Sequence, residues 1–356
     1  MTKLTYKALD KVLARDPSPG PVPMYEHGID YPVIAEIMGY TDPIDLSQRS
    51  GLLEFWRRWI NFYDQMGYPY VSVEMSPKFP TLNMLAGKSA SDTVTRGYVN
   101  ENEGVIKTLD DARDPALWKS ADDVFDYALF DDILKLVPPH MKAVGGASGG
   151  PFEHATFLMG LVPFCLAIYE EPETVDVLLE SISTRLDGIA ERLVKREKLG
   201  IYRFGDDLGY KSNTMISVDM LKQYIFPWQK KIVGTVHKAG KKFLLHSCGQ
   251  LKDVMDILID DVGIDAKHSF EDVILPVERA KALWGDRVAI IGGIDVDFLC
   301  RADEAAIKKR TIEVLKKCSE GGGYAVGSGN TITSYMPPKN YLAMTEAVKE
   351  FNGVKG

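Results

Sequence analysis

The sequence predicts an α/β fold of the TIM type, a (β/α)8 barrel with an N-terminal helical elaboration. Short apolar runs such as KFLLH and RVAII alternate with longer helix-forming segments along the 356 residues. This alternation is typical of parallel sheets whose strands are joined by helices, and about eight such units favour a barrel over a doubly wound sheet. Because no internal repeat or Pro/Ser/Gly-rich linker divides the chain, we expect a single domain over residues 1–356, with the barrel over about 20–352.

The predicted elements follow one another in a regular order. VPMYEHG is the first candidate strand, GLLEFWRRWINFYDQMG the first long helix, and YVSVEM the second strand. A polar, helix-prone crossover then extends to about residue 139. Helical material follows each later strand, beginning with HATFLMGLVPFCLAIYE as one helix. The later strands are predicted in MKAVGGAS, IYRFGDD, KKFLLHSCG, IDAKHS, RVAIIGGID and YAVGSGN.

Composition and charge limit the classes of function. Hydrophobic residues make up 45% of the chain and charged residues 26%, which is typical of a globular protein. A formal net charge of −8, without a cluster of Lys and Arg, argues against a nucleic-acid-binding surface. We find no signal-peptide segment and no apolar run long enough to cross a membrane, so we expect a cytoplasmic protein. The cysteines are widely spaced and we expect them to be reduced: Cys165, Cys248, Cys300 and Cys318.

Polar residues directly after the apolar runs are the candidates for function. In a barrel of parallel strands the active site forms at the C-terminal strand ends, where these side chains converge. The candidates are His27, Glu74, Glu153, His154, Asp206, Asp207, His246, Cys248, His268, Asp295, Ser328 and Asn330.

His246 and Cys248 form the most informative pair. Side chains two residues apart on a strand point to the same face, so an imidazole and a thiol would both enter the barrel mouth. Together they suit zinc, which would hold the thiol as thiolate. The alternative is a buried cysteine beside a hydrogen-bonded histidine.

Several other candidates have a structural alternative of similar weight. Adjacent carboxylates point to opposite faces of a strand, so we expect only one of Asp206 and Asp207 to enter the mouth, where it could be a metal ligand or a general base. The alternative is that either aspartate caps a helix or a loop. Glu74 at the end of YVSVEM is hard to explain by packing. His268 could supply a further nitrogen or be a hydrogen-bonded strand-end histidine. Glu153 opens a helix, where the helix dipole alone favours an acidic residue.

Three segments resemble the uroporphyrinogen decarboxylase superfamily over about residues 20 to 352. The run RVAIIGGIDVDFL with EGGGYAVGSGNTITSYMPPKNYLAMTEAVKEF is similar to that family's G-N-x-D-P strand end, its G-x-G loop and its Pro-led last helix. GASGGPFEHATFLMG resembles the family's G-x-P-W-T segment, and YIFPWQKKIV resembles its F-x-x-P-Y helix.

One departure from the decarboxylases concerns substrate charge. They carry M-R-Q-A-G-R after the first strand, an arginine-rich segment that grips the porphyrin carboxylates. This chain has MYEHGIDY there, so Tyr25, Glu26, His27 and Asp30 would offer little positive charge. The departure argues against uroporphyrinogen as the substrate.

The H-x-C pair instead resembles the zinc methyltransferases of the superfamily that work with a corrinoid protein. These include coenzyme M methylases and the methyltransferases of O-demethylase systems. In the coenzyme M branch a cysteine in a G-C-G loop completes the zinc site, whereas this chain has Ser328 in a GSG loop. A serine hydroxyl is a poor zinc ligand, so Asp206, Glu74 or His268 could complete a rearranged site.

This resemblance implies an enzyme that transfers a methyl group between a small methylated compound, such as a methoxylated aromatic, and a corrinoid carried by a partner protein. Zinc would act as Lewis acid on the leaving heteroatom. The alternatives are a decarboxylase for a less acidic substrate and a non-catalytic tetrapyrrole-binding barrel; the family resemblance also suggests a homodimer. The expected catalytic residues are Glu74, Asp206 and Asp207, the expected metal ligands His246, Cys248 and His268, and the expected substrate contacts Tyr25, His27, Glu153, His154, Phe157, Ser328 and Asn330.

Overall fold

The structure is a computed structural model that describes residues 4–18, 20–80, 85–88, 95–98 and 100–353. In this part of the chain, seven parallel strands form one curled sheet. Each strand of this sheet pairs with the sheet strand that follows it along the chain, as in a TIM barrel, and the predicted fold class is confirmed. The strands are β1 (Tyr70–Met75), β2 (Leu85–Lys88), β3 (Thr95–Tyr98), β4 (Lys142–Ala147), β5 (Leu199–Gly205), β6 (Lys242–His246), β7 (Ala266–His268), β8 (Ala289–Ile291) and β9 (Tyr324–Ala325), with β2 and β3 outside the main sheet.

The segment VPMYEHG, predicted as the first strand, lies between β9 and β1 but pairs only through isolated bridges. Met24 bridges Val326 in parallel, just beyond β9. On the other side Oγ of Ser72 in β1 donates to the backbone carbonyl of His27 at 2.8 Å. The prediction of a full strand here is wrong, because the prolines around this segment cannot donate to a backbone ladder and a side-chain contact replaces part of it. The segment still occupies the position of the eighth strand.

The polar crossover after β1 contains an antiparallel hairpin of β2 and β3, which the sequence analysis did not predict. Leu85 lies opposite Tyr98, and Lys88 lies opposite Thr95. The segments LAGK and TRGY are short and contain glycine, so they lack the alternating apolar pattern that identifies a strand.

Helices cover the outside of the sheet, as the predicted strand-helix alternation requires. Their bounds are α1 (Lys7–Leu13), α2 (Tyr31–Met38), α3 (Arg49–Met66), α4 (Leu109–Arg113), α5 (Tyr127–Leu136), α6 (Pro151–Met159), α7 (Leu161–Glu170), α8 (Pro172–Leu193), α9 (Val218–Met220), α10 (Phe226–Lys238), α11 (Met255–Ile257), α12 (Val277–Trp284), α13 (Val296–Arg301), α14 (Glu304–Cys318) and α15 (Pro338–Phe351), with π-helical turns at Leu221–Ile225 and Leu258–Val262.

The helix predicted over HATFLMGLVPFCLAIYE is two helices, α6 and α7, that meet at an angle of 97°. Gly160 between them has φ 91° and ψ 142°, a conformation that no helix contains and that glycine adopts without a steric penalty. A Cβ at this position would lie 2.8 Å from the backbone nitrogen of Glu103. The preceding loop therefore passes too close for another residue, and the apolar periodicity gave no sign of this bend.

Among the described residues, no single helix is both long and apolar enough to cross a membrane. The bent pair of α6 and α7 meets the length and composition criteria only when the two helices are taken together.

Candidate functional site

The predicted site residues gather at the C-terminal ends of the strands. His246 ends β6 and His268 ends β7, and the two residues are partners in the parallel register of these strands. Glu74 is the penultimate residue of β1 and lies at the same end of the sheet. These three predicted residues therefore lie at the end of the sheet where the sequence analysis expected them.

Three histidine rings pack together at this end. The ring of His27 stacks on that of His246 with centroids 3.9 Å apart, and the ring of His268 lies 5.0 Å from that of His246. Nδ1 of His246 is 2.8 Å from Nδ1 of His268. Nε2 of His268 is 3.2 Å from the backbone carbonyl oxygen of Ser328. Nδ1 of His27 is buried and has no hydrogen-bond partner in the described part of the chain.

Cys248 lies beside this group, on the far side of His246. Its Sγ is 3.5 Å from Nε2 of His246 and accepts a hydrogen bond from Nδ2 of Asn330 at 3.2 Å. Its backbone nitrogen donates to Oδ1 of Asp207 at 2.8 Å. The same carboxylate oxygen is 3.9 Å from Nε2 of His246. An imidazole, a thiol and a carboxylate therefore converge here.

The two adjacent aspartates have different environments. Asp206 is fully buried and accepts hydrogen bonds from Nε2 of Gln229 at 2.7 Å and from the backbone nitrogen of Glu153 at 2.8 Å. It thereby caps the first turn of α6, which is the structural alternative weighed for it. Asp207 is 38% exposed and faces His246 and Cys248. Both aspartates directly follow β5, and one carboxylate enters the mouth, that of Asp207.

A buried arginine that the sequence analysis did not select lies deeper in the barrel. Arg203 of β5 is fully buried, and its Nε donates to Oε1 of Glu74 at 2.7 Å. Its two terminal nitrogens donate to the hydroxyl of Tyr25 at 2.7 Å and to Oγ of Ser72 at 2.9 Å. Glu74 is thus one partner of an ion pair, and Tyr25 is buried below the mouth.

Ser328 is also turned into the protein. Its backbone nitrogen donates to Oε1 of Glu26 at 2.9 Å, and its hydroxyl donates to the other carboxylate oxygen. Both residues are completely buried. Burial raises the pKa of Glu26 to about 8, although the bonds from Ser328 act in the opposite direction. Ser328 therefore holds a buried carboxyl group.

The remaining predicted contacts lie along α6. Glu153 in its first turn is near the two aspartates, and burial, followed by the charges of Asp207 and Asp206, raises its pKa well above the usual value. Nε2 of His154 is 2.9 Å from the carbonyl oxygen of Ser148, and burial lowers the pKa of this histidine to about 4. Phe157 is partly buried, with its ring 6.3 Å from that of His154.

Burial shifts the pKa values of His246, His268 and Cys248 in favour of their neutral forms. Burial lowers the pKa of His246 well below its usual value, with neighbouring His268 and Lys267 acting in the same direction. Burial also lowers the pKa of His268 to about 3. Burial, followed by the charge of Asp207, raises the pKa of the Cys248 thiol. Neutral imidazoles can bind a metal ion directly, whereas this thiol must first lose its proton.

Lys267 is a second buried cation that the sequence analysis missed. Its Nζ donates to the carbonyl oxygens of Ser247, at 3.0 Å, and of Ser269, and it lies 4.3 Å from the ring centroid of Phe270. Burial lowers its pKa to about 8. By these bonds it joins the loops that follow β6 and β7. The same sequence signal could have identified Lys267 in IDAKHS and Arg203 in IYRFGDD. Each is a charged residue inside an otherwise apolar strand.

Among the residues that the structure describes, two groups of side chains have ligand atoms within 4.8 Å of one another: His27, His246 and His268, and Asp207, His246 and Cys248. The second group offers oxygen, nitrogen and sulfur, a donor set that suits zinc. Its carboxylate is partly exposed, so a substrate atom could approach from the mouth. The residues present therefore fit a zinc ion that keeps an open coordination position.

Seven of the predicted residues gather around His246, and some of the other six border this group: Ser328 O contacts His268, and the ring of Tyr25 lies 5.4 Å from that of His268. Tyr25, Asp206, His154 and Ser328 have side chains bonded within the protein, and Phe157 and Glu153 lie along α6. The gathered residues are His27, Glu74, Asp207, His246, Cys248, His268 and Asn330.

The chain is similar to known proteins both in sequence and in structure. A sequence profile of the uroporphyrinogen decarboxylase (URO-D) family matches residues 105–351. The uroporphyrinogen decarboxylase of Coxiella burnetii is 24% identical over 239 residues, which span 63% of this chain and 63% of that relative. The chain therefore aligns with less than two thirds of the length of such curated relatives.

Solved structures provide a longer alignment. A methyltransferase from Methanosarcina mazei is 17% identical, with a TM-score of 0.72 over 98% of this chain and 99% of that one. A putative vitamin-B12-independent methionine synthase from Listeria monocytogenes is 13% identical, with a TM-score of 0.53 over 95% of this chain and 99% of that one. At these identities the similarity establishes a shared fold.

Proposed function

The chain belongs to the uroporphyrinogen decarboxylase family, and on that premise we propose that it is a methyltransferase that passes a methyl group from a small methylated compound to a corrinoid carried by a partner protein. The observation that carries the proposal is the convergence of Asp207, His246 and Cys248 at the open end of the barrel. A methoxylated aromatic is the donor class that we favour. A cytoplasmic location and a homodimer remain part of this proposal.

The donor set supports an ether or alcohol oxygen as the atom from which the methyl group leaves. When bound by Asp207, His246 and Cys248, zinc would act as a Lewis acid on that oxygen. A single thiolate leaves such a site more electron-poor than a thiolate-rich site, which suits a poor oxygen leaving group better than a thiol acceptor. Ser328 adds no ligand, because its hydroxyl donates to Glu26.

The reaction balances with the groups named. The carbon-oxygen bond of the donor breaks, and cobalt(I) of the partner's corrinoid supplies the electron pair of the new carbon-cobalt bond. The leaving oxygen keeps the original bonding pair and takes up a proton. This chain would bind the donor, orient its oxygen towards Asp207 and His246, and hold the surrounding side chains fixed.

The bonding of the two buried cations is an argument for a substrate with few carboxylate groups. Arg203 donates hydrogen bonds from Nε and from both terminal nitrogens to Glu74, Tyr25 and Ser72. Lys267 donates to two backbone carbonyls. Both cations of the described site already donate to protein acceptors. Neither can bind a tetrapyrrole carboxylate unless these bonds rearrange.

A second candidate is decarboxylation of a less acidic substrate. The similarity to the decarboxylases of Coxiella burnetii favours it. Glu74 would be its acidic residue, held by Arg203 at the strand end. This alternative needs no metal at Cys248, which separates it from the first proposal.

The test uses the purified full-length chain, a reduced corrinoid protein and a panel of methoxylated aromatics, methylamines and methanol. We expect the cobalt(I) absorbance to fall with one donor class, and we expect His246→Ala to abolish this change. Zinc content should be about one per chain and should be lost in Cys248→Ala but retained in Cys165→Ala, a half-buried cysteine on α7. Carbon dioxide release from uroporphyrinogen or a less acidic analogue, without zinc dependence, would instead support the second candidate.

A further inference from the structure

A chain of hydrogen-bonding groups runs from the backbone of Ser328 to the side of His246 that faces Cys248. Ser328 O is 3.2 Å from Nε2 of His268. Nδ1 of His268 is 2.8 Å from Nδ1 of His246. Nε2 of His246 then lies 3.5 Å from Sγ of Cys248. One end of this chain, a carbonyl oxygen, can only accept a hydrogen bond.

The carbonyl at that end fixes the position of every proton along the chain. Because Ser328 O accepts, Nε2 of His268 must carry a hydrogen, and in a neutral ring Nδ1 then carries the lone pair. Nδ1 of His246 must accordingly donate to it, which leaves the lone pair of His246 on Nε2. The reverse arrangement would place two lone pairs against each other across the 3.2 Å contact with Ser328.

A doubly protonated His268 would break this order, but its surroundings oppose that state. The ring is fully buried, and its hydrogen-bonding neighbours in the described residues are a carbonyl oxygen and another imidazole. The charges of Lys267 and Arg203 also act against a positive charge on this ring. The bond to Ser328 O favours the charged ring, but burial, which is the largest effect, and both cations oppose it.

From this geometry we infer that His268 is a positioning residue, which fixes the tautomer of His246 so that its Nε2 lone pair faces Cys248 and Asp207, and is not itself a metal ligand. The inference rests on the proposed zinc site and selects between the two possible ligand groups. In the group of three histidines, a metal bound by the facing Nδ1 atoms of His246 and His268 would have to displace the hydrogen that they share, whereas Nε2 of His246 can bind one without breaking that bond. The metal therefore belongs on the Cys248 side.

Bonds to the rest of Ser328 hold its carbonyl in place, and a neighbouring glycine leaves space for it. The carboxyl group of Glu26 receives both the backbone N–H and the hydroxyl of Ser328, which fixes this loop residue from below. Gly292, with φ +80°, leaves room above it: a Cβ there would lie 2.4 Å from Ser328 O and 2.8 Å from the His268 ring. The serine of the GSG loop thus acts through its backbone carbonyl, which its bonds to Glu26 hold in place.

The tautomers can be measured directly in the metal-free, full-length protein. With ¹⁵N-labelled histidine, long-range proton-nitrogen NMR spectra distinguish protonated from unprotonated ring nitrogens, and single His-to-Gln variants assign the rings. We expect a protonated Nε2 and unprotonated Nδ1 for His268, and the opposite for His246. A protonated Nε2 on His246, or two protonated nitrogens on His268, would overturn the inference. This readout requires neither zinc nor activity, so it succeeds or fails independently of the proposed function.

Zinc affinity provides the second test. His268→Ala should weaken zinc binding in a chelator competition by about 10- to 100-fold while the stoichiometry stays near one per chain. His268→Asn, whose side-chain oxygen can accept from Nδ1 of His246, should recover most of that loss. With cobalt(II) as the probe, the thiolate absorption of Cys248 should persist in both variants. Unchanged affinity in His268→Ala, or an equal loss in both variants, would show that His268 does not act through His246.

Discussion

Arg203 and Glu74 form an ion pair inside the barrel, with Nε of the arginine 2.7 Å from a carboxylate oxygen of the glutamate. The arginine is completely buried, and the glutamate side chain is 18% exposed. Each charge therefore depends on the other, since a buried charge without its partner is strongly unfavourable.

Removal of this arginine should be costly for folding. We expect Arg203→Met to lower the free energy of unfolding by about 3–5 kcal/mol, because it leaves Glu74 without its partner. Urea denaturation of the variant measures this directly. The double variant Arg203→Met/Glu74→Gln should recover part of the loss, and no recovery would mean that packing, rather than the unpaired charge, causes it.

The stability of the protein should depend on pH through Glu26. Its folded pKa of about 8 lies above the ordinary 4.5, so the fold favours the neutral carboxyl group. This stabilisation of the folded protein is fully present below the pKa that Glu26 has in the unfolded chain, and it is lost as the pH rises through about 8. Glu26→Gln should therefore show a smaller decrease in unfolding free energy between pH 6 and 8.5 than the unmodified protein. Denaturant titrations at three pH values across that interval test this, and parallel curves for the two proteins would contradict it.

The adjacent aspartates should respond differently to the same substitution. Asp206→Ala leaves the amide of Gln229 and the backbone N–H of Glu153 without their acceptor, so we expect it to lower the unfolding free energy by about 1–3 kcal/mol. Asp207→Ala, at a partly exposed position, should change stability little but weaken zinc binding. Denaturation and chelator competition on both variants would contradict this assignment if the two effects were exchanged.

Gly292 offers a test of the packing around His268, with Gly321 as a matched control. Both glycines have left-handed φ values, +80° and +73°. A Cβ at Gly292 would collide with Ser328 O and the His268 ring, whereas one at Gly321 would meet no atom within 4 Å. Gly321→Ala should cost only the backbone strain, about 1–2 kcal/mol. Gly292→Ala should cost more and should also reduce zinc affinity; equal effects of the two substitutions would contradict the proposed contact.

Local patterns were sufficient to predict the barrel and the end of it at which the candidate site residues gather. Parallel strands joined by helices leave a clear alternation in the sequence, and side chains at strand ends must converge in such a fold. The bend at Gly160 and the hairpin of β2 and β3 were missed because each depends on a close approach between separate segments or on short strands without apolar alternation.

The i, i+2 spacing of His246 and Cys248 determined, from sequence alone, that these two side chains share a face of the barrel. The adjacency of Asp206 and Asp207 determined that one of them would enter the mouth, but not which one. That choice depends on Gln229 and on the first turn of α6, whose donors hold Asp206. The partner of His268 likewise depends on the register of β6 with β7 and on a carbonyl sixty residues further along the chain. Hydrogen bonds between residues so distant in sequence leave no periodic signal, so the protonation pattern of the site is a property of the tertiary structure.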